Sequence, residues 1–210
     1  MIGVVCFDLM DTLVRDPYRE ALRAATGEGP EGLAARRDPT AWPAFERGEL
    51  DAATFAARVL PDGGFDLAAF DRARRAGYAW LPGMRGLLDE LEGVATRWLA
   101  TNYPAWVEEL LAGRGVLGGE GVGARVEGVT ASYRVGVRKP DPGFFATLLE
   151  ATGSADAPGR CLLVDDRAVN CEAAAAHGLA VHHFDGAEGL RRRLALEGLL
   201  PDRPRAAGPP

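Results

Sequence analysis

Several common residue types are scarce in this 210-residue sequence. Of its 24 basic residues 23 are arginines, and Lys139 is its one lysine. Asn102 and Asn170 are its two asparagines, serine occurs twice, isoleucine once and glutamine never. A GC-rich coding bias explains this pattern better than a functional adaptation does. A lysine or an asparagine that is retained inside a motif is therefore conspicuous.

Other absences exclude whole classes of protein. The net charge of −6 argues against a general nucleic-acid binder, which would carry a basic stripe. No apolar run approaches the roughly 20 residues of a membrane span, and the N-terminus is too short for a signal peptide. We therefore expect neither nucleic acid nor a membrane among the partners. The three cysteines have no zinc-like spacing and predict reduced, buried thiols in a cytoplasmic protein: Cys6, Cys161 and Cys171.

Short apolar runs predict five β-strands separated by helical patterns. Four of the runs are strong, and the one at 126–131 is weaker. The predicted strands cover residues 2–7, 95–100, 126–131, 160–164 and 180–184. Strands that alternate with helices of this length form a parallel sheet with right-handed crossovers, so the fold class is α/β.

Residues 15–81 break the alternation. They contain helical patches cut by prolines and no strand-like run. We interpret them as a helical insertion, or cap, within a core formed by residues 1–14 and 82–199. The remaining segment, 200–210, has too little apolar content to dock firmly and is predicted to be a disordered tail.

Polar clusters follow the strongest strands, at the edge where open α/β sheets bind their ligands. They are residues 8–12, the pair Thr101-Asn102, Lys139 within 138–142, and the pair Asp165-Asp166. Taken singly, most of these are equally typical of turns and helix caps. The adjacent aspartates are harder to explain in that way, because two carboxylates repel each other unless a cation lies between them.

Other conspicuous residues have simpler interpretations. Arg191, Arg192 and Arg193 are predicted to form a solvated face of a late helix. His182 and His183 lie in the last predicted strand, away from the carboxyl ends of the others, and are predicted to be structural. The tryptophans are expected to pack in the core or at the hinge of the insertion: Trp42, Trp80, Trp98 and Trp106.

The order and spacing of the four clusters resemble the motifs of the haloacid dehalogenase superfamily. Asp8 after the first strand resembles the first motif, Thr101-Asn102 the second, Lys139 before Pro-Asp-Pro the third, and residues 164–170 the fourth. The resemblance spans about residues 2–184. It implies a Rossmann-like core, and the insertion matches the helical cap of one large subgroup.

The resemblance also implies roles for individual residues. Asp8 would be the nucleophile of a phosphatase that forms a phosphoaspartyl intermediate, while Lys139 keeps it ionised and Thr101 binds the phosphoryl group. The substrate, a small phosphorylated molecule, would also meet Asn102, Thr12 and Asp11. The cofactor would be Mg²⁺, held by Asp8, the Met10 carbonyl, Asp165 and Asp166, with Asn170 bracing the last loop.

One position departs from the family pattern. Phosphatases of the family have a second aspartate two residues after the nucleophile, which acts as general acid and base, and here that position is Met10. General acid–base catalysis is worth about 10²–10⁴-fold, so we expect weak activity or a restriction to acyl and aryl phosphates. Asp11 is a poor substitute on an extended segment, where adjacent side chains point to opposite faces.

Two further hypotheses remain open at this point. A metal-independent 2-haloacid dehalogenase would also lack the second aspartate, but its second motif typically has a tyrosine and its fourth is rich in serine and asparagine. A catalytically silent protein could use the crevice to bind a phosphorylated ligand or partner, and Met10 supports that reading best.

Overall fold

The computed structural model describes residues 1–201. Most of the predicted C-terminal tail, residues 202–210, lies outside the described residues. Leu200 was predicted to begin that tail, but its side chain is buried against the main core together with Leu199. The chain therefore stays docked at least to Leu200, because two consecutive leucines provide the apolar area that the rest of the tail lacks.

Five parallel strands form a single sheet in the order β3-β2-β1-β4-β5. The strands are β1 (Val4–Phe7), β2 (Thr96–Thr101), β3 (Gly128–Ala131), β4 (Cys161–Asp165) and β5 (Ala180–His183). All five predicted strands are present, with ends that differ by at most two residues. The α/β class predicted from the sequence is confirmed.

Within the described chain, ten α-helices accompany the sheet, and several short 3-10 turns occur in the connections. The helices are α1 (Tyr18–Thr26), α2 (Ala41–Glu46), α3 (Ala52–Val59), α4 (Leu67–Gly77), α5 (Met84–Glu90), α6 (Val107–Ala112), α7 (Ser132–Val135), α8 (Pro142–Ala151), α9 (Ala168–Ala176) and α10 (Ala187–Leu196). Within residues 1–201, none combines the length and apolarity needed to cross a membrane.

Strand β1 is buried on both faces of the sheet, as its continuous apolar run predicts. Val5 and Phe7 point into a large cluster with residues of α5, α6 and α10. Val4 and Cys6 point into a second cluster with residues of α8 and α9. Because helices cover both faces, the carboxyl edge of the sheet is where polar side chains can gather.

The four helices α1 to α4 lie between β1 and β2, in the segment predicted as a helical insertion. They enclose an apolar cluster of their own that includes Phe45, Phe55 and Phe70. The two chain segments that enter and leave the insertion pair as an antiparallel ribbon, in which Arg15 N donates to Ala79 O and Leu81 N donates to Leu13 O, both at 2.9 Å. This ribbon lies at the predicted boundaries of the insertion.

A buried polar network joins the insertion to the core. The guanidinium of Arg74, on α4, reaches Glu109 on α6 with nitrogen–oxygen distances of 3.1 and 3.3 Å. It also donates to the hydroxyl of Tyr78 and lies over the ring of Trp106, 4.1 Å from the ring centroid. The hydroxyls of Tyr78 and Tyr103 are hydrogen-bonded to each other at 2.6 Å.

Of two sequence predictions about packing, one is confirmed and the other needs adjustment. All three cysteines are free and buried, as predicted. The arginines of α10 do not form a uniformly solvated face. Arg191 is only 12% exposed and forms an ion pair with Glu90, and Arg193 donates to Val181 O, whereas Arg192 is well exposed. Arg191 and Arg193 turn toward the core because the long arginine stem can cover apolar surface while its head finds a partner.

Candidate active site

Lys139 lies at the centre of the carboxyl edge of the sheet. Its Nζ atom donates to Asp8 Oδ1 at 2.8 Å, to Asp165 Oδ2 at 2.5 Å and to Ala100 O at 2.6 Å. The three acceptors follow or end the three central strands, β1, β4 and β2. The parallel register brings these ends together, since Phe7 pairs with both Leu99 and Val164.

One buried ammonium shares this edge of the sheet with three carboxylates, those of Asp8, Asp165 and Asp166. Burial alone would lower the pKa of Lys139, but the charges of Asp8 and Asp165 raise it, so the ammonium is retained. Burial raises the pKa of Asp8 to about 7, an effect that Lys139 opposes and Asp165 and Asp166 reinforce. One ammonium does not balance three carboxylates, so a further cation beside them would favour the ionised form of Asp8.

The residues present fit a divalent cation. Carboxylate oxygens of Asp8, Asp165 and Asp166 lie within 4.8 Å of one another. The carboxylate of Asp165 already accepts from Arg167 N, Asn170 Nδ2 and Lys139 Nζ, so Asp8 and Asp166 have the more available oxygens. Hard cations such as Mg²⁺ prefer oxygen ligands of this kind.

Asn102 holds the backbone of Lys139 in place. Its Nδ2 donates to Lys139 O and its Oδ1 accepts from Lys139 N, both at 2.8 Å. The peptide bond between Lys139 and Pro140 is cis, and the side chain of Asp141 caps the helix that follows. Asn102, which the sequence suggested for substrate binding, borders the cavity described below but uses its amide to position the lysine.

Three buried polar atoms near the strand ends have no hydrogen-bond partner within the described residues. They are Thr12 Oγ1, Thr101 Oγ1 and Asn170 Oδ1. An unpaired buried hydroxyl costs about 1–3 kcal/mol, and such groups are commonly satisfied by a ligand. Asn170 also donates from Nδ2 to Asp165 Oδ1, at 2.9 Å.

The segment after Asp8 differs from the extended conformation assumed in the sequence analysis. Asp11 has a φ of 54°, in the left-handed region, and its Oδ1 accepts a hydrogen bond from Asp16 N at 2.9 Å. The prediction of an extended segment at Met10 and Asp11 is therefore wrong, because the chain turns at Asp11. Met10 packs partly against the main core, and no residue of the described chain donates a hydrogen bond to its carbonyl.

A cavity of about 180 Å³ opens over these residues, between the sheet edge and the insertion. Asp8, Met10, Asp11, Asn102, Lys139, Asp166 and Asn170 were all expected at the site and line it. Sequence reasoning missed the other lining residues, which are Asp16, Trp42, Glu46, Tyr103, Arg138 and Arg167. Arg138 and Arg167 directly adjoin the predicted motif residues Lys139 and Asp166, which is a signal that could have pointed to them.

Two lining residues come from helix α2 of the insertion. The carboxylate of Glu46 pairs with Arg138 Nε at 2.7 Å and accepts from Trp42 Nε1 at 2.9 Å. Trp42 was predicted only to pack, and it does contact the aromatic cluster, but one side of it faces the cavity. The sequence signal for Glu46 was its place as the one acidic residue of α2, which is otherwise apolar.

The prediction for His183 was wrong about its location. Strand β5 runs parallel to β4, so His183 pairs with Asp165 at the carboxyl edge. Its Nε2 lies 2.9 Å from Asp166 O, and this hydrogen bond helps to fix the loop that carries Asp166. His182 instead lies 3.2 Å from Asp185, away from the cavity, in keeping with a structural role.

The site combines an aspartate that follows the first strand, a buried lysine in contact with it, and an adjacent pair of aspartates at the same edge of a parallel sheet. This combination defines a class of hydrolase. The sequence model of the family described as haloacid dehalogenase-like hydrolase matches residues 2–178, and the chain belongs to this family. Flavin mononucleotide hydrolase 1 of Arabidopsis thaliana is 32% identical over 203 residues, which cover 94% of this chain and 78% of the relative.

Solved structures show the same fold. A family enzyme from Bacteroides thetaiotaomicron, in complex with magnesium and inorganic phosphate, superposes with a TM-score of 0.73 at 17% identity, covering 89% of this chain and 96% of that one. The 2-haloacid dehalogenase from Pseudomonas syringae gives a TM-score of 0.64 at 20% identity, with coverage of 94% and 100%. At these identities the likeness concerns the fold alone.

Proposed function

We propose that the protein is a Mg²⁺-dependent phosphatase that uses Asp8 as its nucleophile. The observation that carries the proposal is the contact of 2.8 Å between Lys139 Nζ and Asp8 Oδ1, within a group of three carboxylates whose oxygens lie within 4.8 Å of one another. The ammonium donates to Oδ1 of Asp8, and no residue among 1–201 donates to Oδ2, which is thus available to attack. The adjoining cavity of about 180 Å³ accommodates a phosphoryl group above it.

The reaction would proceed in two displacements. Asp8 Oδ2 forms a bond to phosphorus while the bond from phosphorus to the leaving oxygen breaks, and that oxygen leaves with the electron pair and acquires a proton. Water then attacks phosphorus, loses a proton and releases phosphate, which restores the Asp8 carboxylate. Lys139 offsets negative charge on the transferred group, and the unpaired hydroxyls of Thr12 and Thr101 are suited to donate to its oxygens.

Asp8, Asp166 and the carbonyl of Met10 would hold the metal ion. Magnesium bound there supplies charge neutralisation for the phosphoryl oxygens. Asp165, whose carboxylate is already engaged by Lys139, Asn170 and the backbone of Arg167, would position Lys139 and the loop rather than supply the main ligand.

The helical insertion would act as the cap that selects the leaving group. Trp42 and Glu46 are the residues of α2 that reach the cavity. Ligand pockets for drug-sized molecules usually measure about 300–1,000 Å³, so a cavity of about 180 Å³ suits a small phosphate ester. FMN, the substrate in the name of the Arabidopsis relative, is a candidate substrate here, but it would require the insertion to move away from the sheet.

Phosphate release tests the proposal. The purified protein should hydrolyse p-nitrophenyl phosphate or FMN in the presence of Mg²⁺, and EDTA should abolish the activity. The matched control is Asp8→Asn, which keeps the shape of the side chain but removes the nucleophile. Equal phosphate release by the wild type and Asp8→Asn, with every substrate, would overturn the proposal.

Met10 favours a second candidate, a protein that binds a phosphorylated ligand without turnover. Trapping BeF₃⁻ with Mg²⁺ on Asp8, a mimic of the phosphoaspartate, favours the enzyme. Ligand binding that survives Asp8→Ala with no turnover favours the binder. The acidic cluster speaks against the metal-independent dehalogenase, and chloride release from 2-chloropropionate that is insensitive to EDTA is the result that would revive it.

A further inference from the structure

Two residues after Asp8, where phosphatases of the family have a second aspartate, the proposed phosphatase has Met10, whose thioether can neither donate nor accept a proton. We propose that the carboxyl group of Asp16 is the general acid and base of this site. The inference rests on the proposed function and concerns a residue at the start of the insertion, outside the four motifs.

Asp16 lines the same cavity as Asp8 and Asp166. The left-handed turn at Asp11 brings Asp16 there. In this turn Asp16 N donates to Asp11 Oδ1 at 2.9 Å. The chain thus passes Met10, turns, and returns a carboxyl group to the cavity six residues further on. Asp11, which was predicted to contact substrate and also lines the cavity, holds the backbone of Asp16 through this hydrogen bond.

The carboxyl group of Asp16 is fixed at one oxygen and free at the other. Asp16 Oδ1 accepts from Tyr18 N at 2.9 Å, and no residue of the described chain donates to Oδ2. The other missed carboxyl group of the cavity, that of Glu46, is engaged by Arg138 and Trp42. Of the two, Asp16 is therefore the one with an oxygen available to a substrate or a water molecule.

The surroundings of Asp16 make its carboxyl group hold a proton more tightly than an exposed aspartate does. Burial raises the pKa of Asp16 to about 6, the hydrogen bond from Tyr18 N opposes the rise, and three carboxylates that face it reinforce it: Asp11, Glu20 and Asp166. The hydroxyls of Tyr78 and Tyr103 face it from the end of α4 and from the loop after β2. General acids and bases work best when their pKa lies close to the working pH.

Asp16 alone can supply the proton for the first step and take up the proton released in the second. As the bond from phosphorus to the leaving oxygen breaks, the protonated Asp16 gives its proton to that oxygen, and the product alcohol leaves. The resulting carboxylate then takes a proton from the water that attacks the phosphoaspartate. Phosphate departs, and both Asp8 and Asp16 return to their starting states.

Leaving-group dependence in Asp16→Asn provides the test. For an alkyl phosphate such as β-glycerol phosphate, kcat/KM should fall by about 10²–10⁴-fold, because the leaving alkoxide needs the proton. For p-nitrophenyl phosphate the first step should be nearly unaffected. Nitrophenolate should therefore appear in a burst, followed by slow turnover, because hydrolysis of the phosphoaspartate lacks its general base.

The pH profile gives a second, independent reading. With the alkyl substrate, kcat/KM of the wild type should decline above about pH 6 as the acid loses its proton, and Asp16→Asn should lack this limb. The matched control is Glu20→Gln, which removes a neighbouring negative charge outside the cavity. It should leave the ratio of alkyl to aryl rates within about 3-fold of the wild type, because general acid catalysis is retained.

The outcomes separate this inference from the proposed function. If the wild type shows no Asp8-dependent hydrolysis, the proposed function fails. If the wild type is active and Asp16→Asn keeps both the wild-type ratio of alkyl to aryl rates and the decline of kcat/KM above about pH 6, only the role of Asp16 is overturned. That role is also overturned if the ratio of alkyl to aryl rates falls in Glu46→Gln but not in Asp16→Asn. Should Asp16→Asn fail to fold, Asp16→Ser, which can still accept from Tyr18 N, serves the same comparison.

Discussion

Asn102 and Lys139 are joined by two hydrogen bonds of 2.8 Å that use both polar atoms of the asparagine amide and both polar atoms of the lysine backbone. This clasp ties the end of β2 to the loop before α8. It fixes the point from which the lysine stem reaches down to Asp8 and Asp165. The position of the ammonium therefore depends on a residue whose amide bonds the lysine backbone rather than the ammonium itself.

The first prediction concerns this clasp. Asn102→Ala leaves Lys139 N and Lys139 O without their partners, which should lower the free energy of unfolding by about 1–3 kcal/mol. It should also lower kcat by about 10²-fold, since a misplacement of about 1 Å has effects of that size. KM should change much less, because the clasp acts through the lysine. Steady-state kinetics and urea denaturation measure both effects, and a variant that raises KM alone would show that Asn102 binds substrate.

The second prediction separates the two adjacent aspartates. Asp166→Asn should fold normally but lose the stabilisation by Mg²⁺, which for the wild type amounts to about 2.7 kcal/mol at a concentration of 100 times Kd. Asp165→Asn should be destabilised even with EDTA present, because its carboxylate accepts from Lys139, Asn170 and the backbone of Arg167. Thermal unfolding with and without Mg²⁺ distinguishes the two, and equal behaviour of the variants would contradict the division of roles.

The sheet and the motif residues could be predicted because their signals are local. Apolar runs such as Val4–Phe7 end at polar residues, and a parallel register then brings those residues to one edge. Asp16 could not be found in this way. Its sequence context, Arg-Asp-Pro before α1, is typical of an ordinary turn, and its place in the cavity depends on the left-handed turn at Asp11.

Contacts between residues far apart in the chain could not be predicted from the sequence either. Arg74 looks like any other arginine on an arginine-rich helix, yet it is 2% exposed because Glu109, Tyr78 and Trp106 surround it. The error for His183 has a related cause. The strand was recognised, but which of its two histidines reaches the carboxyl edge depends on its pairing with β4.

The third prediction tests the network between the insertion and the core. Glu109→Gln removes one of the two carboxylates that pair with the buried Arg74, the other being that of Asp71, and should cost about 1–3 kcal/mol. Arg74→Met should cost less, because the remaining Glu109 is partly exposed and still pairs with Arg75 at 2.7 Å. Arg72→Met, at an exposed position of the same helix, should change stability by no more than about 0.5 kcal/mol. Urea denaturation measures all three, and equal costs for Glu109→Gln and Arg72→Met would contradict the assignment.

The fourth prediction uses stability rather than activity to examine Asp16. Its pKa of about 6 in the folded protein lies above the usual value of 3.8, so the folded state holds the proton more tightly than the unfolded state does. The stability that this provides is fully present below about pH 3.8 and is lost as the pH rises through 6. Asp16→Asn keeps the acceptor for Tyr18 N but does not titrate, so it should gain stability relative to the wild type as the pH rises.

Urea denaturation in EDTA at pH 4.5 and pH 7.5 measures this gain. A tenfold change in a protonation equilibrium is worth about 1.4 kcal/mol, and the advantage of Asp16→Asn should grow by at least about that amount between the two pH values. Other groups, such as His182, whose pKa is lowered by burial, titrate in both proteins and cancel in the difference. An advantage that stays constant across this range would mean that Asp16 is ionised throughout it. Asp16 would then be a structural acceptor for Tyr18 N with no proton to give at neutral pH.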